Sequence, residues 1–296
     1  MRVSTDALVE SIRKAADNEG LLPLSVYKDI ATEFLITYKE LEKIALESGF
    51  FPLRFQRQRK LLGSACQLRL LSAKVAIVGC GGLGGSIFEM LLRLGVGHLL
   101  VIDPDFFCES NLNRQLLATS ANLGCYKVDA ALERGKLVNP VAEIETLNQV
   151  FQSPAGKARL ASCDLVFDAL DSVSGRFELA QLCARNNLML IHGAVSGWSG
   201  QMAPVPPGSE KMAQIYPKTY PESFPENLGS PPPAAEIEAL VDNITPTVNT
   251  VAALQVAAGI KYLCDFSLGS GSYLHFGEEL PGCFIDLTEP DLERLR

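Results

Sequence analysis

The sequence predicts an α/β fold: a doubly wound, mostly parallel sheet with a small helical extension at its N-terminus. Three observations predict it. Strand-like and helix-like runs alternate from residue 74 onward, the pattern of βαβ units. The first strand-like run opens into VAIVGCGGLGG at 75–85, a glycine loop with the spacing G-x-G-x-x-G, which offers backbone to a phosphate at the carboxyl edge of such a sheet. Ahead of it, residues 1–53 carry helical spacing and no strand signal.

The chain has 296 residues, 47% hydrophobic and 20% charged. That is room for one large α/β domain with an appendage and a sizeable core. The net charge of -8 argues against a nucleic-acid surface, and no basic run reverses this locally. The polar N-terminus lacks the apolar core of a signal peptide, and no run reaches the roughly 18–20 apolar residues of a membrane span. A cytoplasmic protein with no membrane partner is expected. None of the eight cysteines forms a C-x-x-C pair. They read as small hydrophobes, buried and reduced, with no structural zinc site.

In the extension, Leu8, Ile12 and Ala15, then Tyr27, Ile30 and Phe34, then Leu41, Ile44 and Ala45 follow helical spacing. The prolines at 23 and 52 punctuate them. The segment is too short to be very stable alone and is expected to pack on the main domain. There, strands are predicted at 74–79, 98–103, 143–148, 164–170 and 188–195, and helices at 83–94, 127–137 and 175–186. The stretch 204–233 holds nine of the seventeen prolines and little periodicity, so a long functional loop is expected within about 196–243. A helix over 247–263, rich in small and apolar residues, suits a buried place. Short strands at 272–276 and 283–287 close the domain.

In the glycine loop, Gly79 permits a tight turn, Gly81 lets backbone approach a phosphate, and Gly84 allows close helix–sheet packing. The next helix turns its unpaired N–H groups, Gly82 among them, toward an anion. Asp103 ends the second strand, where a carboxylate can accept from ribose hydroxyls. That suits a nicotinamide dinucleotide and an adenosine reader equally. Beyond it, DPDFFCESNLNRQ (103–115) puts Asp105, Asn111, Arg114 and Gln115 at the mouth of the nucleotide cleft. Hydride transfer has little use for an Arg here, whereas charge developing on a triphosphate does. Lys127 can neutralise phosphate oxygens, and Asp171, closing the fourth strand-like run, can help hold Mg²⁺. Asp168 nearby reads equally as a structural or capping acid. His192, ending a buried strand, reads as a satisfied structural residue, and Trp198 as packing under the long loop.

Several motifs together resemble the ThiF/MoeB/HesA family, the bacterial branch of the ubiquitin-activating-enzyme superfamily. They are RFQRQ (54–58), GCGGLG (79–84), DPD (103–105), SNLNRQ (110–115), GCYK (124–127), DALD (168–171) and HGAVSGWSGQ (192–201). The resemblance implies a Rossmann-like adenylation domain over 54–296. It would use ATP and Mg²⁺ to activate the C-terminal carboxylate of a small ubiquitin-like sulfur carrier ending in Gly-Gly. By motif match, the loop 79–84 would hold phosphate and Asp103 the ribose; Asn111, Arg114 and Lys127 would contact the triphosphate, and Asp171 would position Mg²⁺. Arg57 would reach into the ATP site of a partner in a homodimer. The chain departs from the pattern at the zinc-binding C-x-x-C pairs, which it lacks, and at Ser172, where Asn is frequent. No cysteine lies in 196–243, which implies adenylation without a thioester on that loop. A tRNA-bound or peptide carboxylate is the alternative acceptor, and a nicotinamide-dependent oxidoreductase the alternative class.

Overall fold

The computed structural model describes residues 5–216, 242–266 and 283–286. The extension forms α1 (Thr5–Ala15), α2 (Tyr27–Phe34) and α3 (Tyr38–Glu47). A capping box starts α3: Glu40 N donates to Thr37 Oγ1 at 3.1 Å, and Thr37 N to Glu40 Oε2 at 2.8 Å. The buried faces of these helices (Leu8, Ile12, Tyr27, Ile30, Phe34, Leu41) share one core with Leu71 and Val141 of the main domain. Glu42, fully buried, receives Arg54 Nη2 at 2.5 Å and the Tyr27 hydroxyl at 2.9 Å. This ion pair stitches the extension to the 3₁₀ turn Leu53–Gln58.

One expectation here is corrected. The extension does contain strand: β1 (Leu21–Leu22) pairs in parallel with β2 (Phe51–Pro52). Two residues are too few to show a period-2 pattern.

After α4 (Arg59–Ser72) the main domain runs β3 (Lys74–Val78), α5 (Gly82–Leu94), β4 (His98–Ile102), α6 (Lys127–Val138), β5 (Glu143–Leu147), α7 (Pro154–Leu160), β6 (Leu165–Asp168), α8 (Val173–Arg185), β7 (Met189–Ser196), β8 (Ser199–Val205), α9 (Lys211–Ile215), α10 (Thr245–Leu263) and β9 (Cys283–Asp286). The sheet order is β5-β4-β3-β6-β7-β8-β9. The pairs from β5 to β7 are parallel, and β7–β8 and β8–β9 antiparallel. Alternate residues of β3 divide the core. Val75 and Ile77 pack with Ile87, Leu91 and Val251, from α5 and α10. Ala76 and Val78 pack with Leu160, Leu179 and Met212, from α7 to α9. Helices therefore cover both faces, as a parallel sheet requires.

The predicted loop over 196–243 is corrected at its start, because 199–205 is strand and 211–215 helix. The segment SGQMAPV has no β-branched run and contains Pro204, so its sequence did not read as a strand. Pro204 faces Ile191 of β7, while the β8–β9 ladder spans only Ser199–Met202. The missing N–H therefore falls beyond that second ladder. Residues 217–241 and the strand expected at 272–276 lie outside the described residues.

Candidate nucleotide site

β3 is flanked by β4 on one side and β6 on the other, so the chain changes direction at its carboxyl end. A crevice must open there. The structure has a cleft of about 690 Å³ at that point.

The loop between β3 and α5 forms its floor. Gly79 has φ +95, and a Cβ there would lie 2.4 Å from the Ala169 carbonyl oxygen. Gly84 stacks on Gly79: its Cβ would come 1.9 Å from the Gly79 oxygen. These two let α5 start directly above the strand. Gly81 differs, because a Cβ there would meet only Gln115, at 3.5 Å, and it lines the cleft together with Gly79 and Gly82. Cys80 is fully buried, and burial pushes its thiol well above the usual range.

Asp103 stands at the end of β4, 5% exposed. Cys80 N donates to its Oδ2 at 2.6 Å and Asp105 N to its Oδ1 at 2.8 Å. Burial pushes this carboxyl up, against the pull of Lys127 and the two N–H donors. Lys127, first residue of α6, meets Asp105 Oδ2 at 2.9 Å with its side chain 9% exposed. Its backbone N donates to Asp105 O at 2.9 Å, which fixes the start of α6 against the strand-end loop.

Arg114 donates to Ser110 O and Asn113 Oδ1, both at 2.8 Å. Gln115 is buried, and its Oε1 has no partner among the described residues. An orphaned amide at the edge of an open cradle matches a polar ligand. Asp171, exposed beyond β6, lines the opposite wall. One carboxylate facing a phosphate cradle suits Mg²⁺, which takes few protein ligands and completes its shell with phosphate oxygens and water. Among the described residues no group of three or more His, Cys, Asp or Glu is placed to hold a metal by itself.

The structure thus brings Gly79, Gly81, Gly82, Asp103, Asp105, Arg114, Gln115, Lys127 and Asp171 to one cleft. Asn111 sits behind the wall, with its Oδ1 accepting from Cys108 N at 3.1 Å. Arg57 is exposed on its 3₁₀ turn, away from the cleft. His192 and Asp168 are fully buried and paired, Nδ1 to Oδ2, at 2.7 Å. Trp198 is half exposed at the β7–β8 turn. The cysteine expectation is corrected in part: Cys108 and Cys125 are exposed, because both lie in the polar segment 103–126 rather than in the core. A hydrogen bond to Ser110 pulls the Cys108 thiol down from its ordinary value.

Sequence reasoning missed Arg176 and Tyr216, which line the cleft beside Asp171. Arg176 sits within a helical run, and only its burial, 8% exposed, marks it. The apolar side of the cleft, from Ile102, Val150 and Leu170, was also invisible, since it joins three separate strand ends. Among the described residues no helix is long and apolar enough to cross a membrane.

Comparison with known proteins agrees with this architecture. Residues 55–280 match the ThiF family. The sulfur carrier protein adenylyltransferase of Thermus thermophilus is 31% identical over 239 residues, 79% of this chain and 86% of that protein. The tRNA threonylcarbamoyladenosine dehydratase of Haemophilus influenzae is 36% identical over 138 residues, and the match spans about half of its length, 52%. Escherichia coli MccB with ATP superposes with a TM-score of 0.59 at 20% identity, over 88% of this chain and 80% of that one, a likeness of fold. With a cleft at the strand switch point and a family match over most of its length, the chain belongs to the ThiF family.

Proposed function

We propose that this protein is an adenylyltransferase that activates the C-terminal Gly-Gly carboxylate of a small ubiquitin-like sulfur carrier, serving thiamine, molybdopterin or related sulfur-cofactor synthesis. The observation that carries this is the convergence of Arg114, Lys127 and Asp171 on the glycine loop within one cleft. The apolar side at Ile102, Val150 and Leu170 takes the adenine, and Asp103 takes the ribose.

In the reaction, a carboxylate oxygen of the carrier attacks the α-phosphorus of ATP. The bond from that phosphorus to the bridging oxygen breaks, and pyrophosphate leaves. One anion attacks another, so the protein must orient the carboxylate in line and offset charge on the phosphates. Lys127 and Arg114 do this from one wall and the N-terminus of α5 from below. Lys127 must exchange Asp105 for phosphate oxygen. Mg²⁺, held by Asp171, supplies further charge neutralisation when bound. No general base is needed, because the nucleophile is ionised at neutral pH. On this reading the enzyme is a cytoplasmic homodimer in which Arg57 completes the partner's site.

The test is exchange of labelled pyrophosphate into ATP, using purified protein and small carriers ending in Gly-Gly. Carrier-dependent exchange is expected, and Arg114→Ala should lower it about 10²-fold while leaving the melting temperature unchanged. No exchange with any such carrier rejects the reading. The likeness to the tRNA-modifying dehydratase favours a tRNA-bound carboxylate as the second reading. A salt-sensitive tRNA complex would select it, although the acidic balance opposes it.

A further inference from the structure

Behind the cleft wall, four side chains and one backbone unit close a ring of hydrogen bonds. Arg176 donates to Leu170 O from Nε at 3.2 Å and from Nη2 at 2.8 Å. Its Nη1 donates to the Tyr216 hydroxyl oxygen at 3.1 Å. Tyr216 lies 3.2 Å from His192 Nε2, and His192 Nδ1 lies 2.7 Å from Asp168 Oδ2. Leu170 N donates to Asp168 Oδ1 at 3.0 Å, which returns the ring to its start.

Arg can only donate, so the Tyr216 oxygen accepts from Nη1, and Gln201 hydrogen-bonds the hydroxyl as well. A carboxylate only accepts, so the His192–Asp168 bond places a proton on His192 Nδ1. In the neutral imidazole Nε2 is then the acceptor that the Tyr216 hydroxyl faces at 3.2 Å. Burial pushes the Tyr216 hydroxyl above the ordinary phenol value, so it stays a donor at neutral pH. Among the described residues no carboxylate pairs directly with Arg176. Its charge is balanced around the ring by Asp168, and no buried charge is left alone.

The ring joins parts of the chain that are remote in sequence. Asp168 ends β6, Leu170 precedes Asp171, Arg176 comes from α8, His192 from β7, and Tyr216 follows α9. We propose that Tyr216 is a positioning residue, whose hydroxyl closes the ring that holds the loop 169–171 and so aims the Asp171 carboxylate into the cleft. The role of Asp171 rests on the adenylation reading; the ring itself does not.

The test compares the wild-type chain with Tyr216→Phe, which keeps the ring contacts with Phe177 and His192, at centroid distances of 5.9 and 5.6 Å. Nitrogen NMR of the imidazoles is expected to show His192 as the Nδ1–H tautomer, with its Nε2 signal moving toward that of an unbonded acceptor in the variant. Amide exchange at Leu170 should become about tenfold faster, as loss of one hydrogen bond implies, while Val166 within β6 stays unchanged. Binding of Mn²⁺ with a non-hydrolysable ATP analogue, followed by electron paramagnetic resonance, should weaken about tenfold, with nucleotide affinity in the absence of metal unaltered.

An Nε2–H tautomer in the wild type, or unchanged exchange at Leu170, overturns the ring. Faster exchange with unchanged metal affinity overturns the positioning of Asp171. A wild-type protein that binds no metal–nucleotide rejects the adenylation reading and the aim of Asp171 with it. The hold on loop 169–171 is then decided by tautomer and exchange alone.

Discussion

Substituting alanine at Gly84 and at Gly81 separates packing from ligand binding within a single loop. At Gly84 the new methyl would sit 1.9 Å from the Gly79 carbonyl oxygen and 2.8 Å from its carbon. A carbon–oxygen contact relaxes only at about 3.3 Å, so α5 and the loop must part by about 1.4 Å. Overpacking of this kind costs about 1–3 kcal/mol. For a chain of 296 residues the unfolding entropy is roughly 0.6 kcal/mol/K, so the melting temperature should fall by about 2–5 °C. Displacing the cradle by about 1 Å should also weaken ATP binding about 10²-fold. At Gly81, φ is −84 and the methyl would meet only Gln115, at 3.5 Å. Gly81→Ala should therefore melt above Gly84→Ala, since no backbone atom opposes its methyl. Its methyl occupies the space through which a phosphate approaches, so binding should weaken at least about tenfold. Melting curves and calorimetric titration with a non-hydrolysable ATP analogue measure both. Wild-type affinity in Gly81→Ala, or wild-type melting in Gly84→Ala, refutes this account of the loop.

Two further outcomes are expected. On the proposed homodimer reading, Arg57→Ala and Lys127→Ala should each abolish pyrophosphate exchange, yet mixing the two proteins should restore part of it, since one site of a heterodimer would keep its own Lys127 and receive the partner's Arg57; no recovery after subunit exchange rejects action in trans. Burial pushes the Glu89 carboxyl up, but hydrogen bonds from Arg134 and Arg93 outweigh it and hold the group below the usual range. Its stabilisation is present above the unfolded value, about 4.3, and is lost as pH falls through the folded one. Glu89→Gln should melt below wild type at neutral pH and converge with it as the pH falls below the unfolded value of about 4.3; parallel melting profiles through that fall would contradict this.

The inner strands of the parallel sheet, β3, β4 and β6, were readable because they are short, mainly apolar runs buried on both faces, whereas β5 at the sheet edge is polar and only partly buried. β3, β4, β5 and β7 fall within a residue or two of where the sequence places them. β8 escaped notice because its partners, not its composition, make it a strand: SGQMAPV pairs along β7 from Leu190 to Ser196. α7 escaped because PAGKARL, barely two turns long, holds too few large apolar residues to show a helical stripe. In the site, Gly79, Asp103, Arg114, Lys127 and Asp171 were legible because each stands at a strand end or in the polar run that follows one. Arg176 and Tyr216 were not, since nothing local distinguishes a cation on a helix or a tyrosine after one.

The sequence by itself determined the parallel sheet, the glycine loop at its carboxyl edge and the family to which the chain belongs. Those follow from local patterns, in which residue type and spacing dictate backbone geometry. Only the tertiary structure decided that Asp168, His192, Arg176 and Tyr216 form one closed ring around Leu170, and that the extension shares its core with Leu71 and Val141. Hydrogen bonds of about 3 Å between residues 24 or 40 positions apart exist only once packing has brought those side chains together.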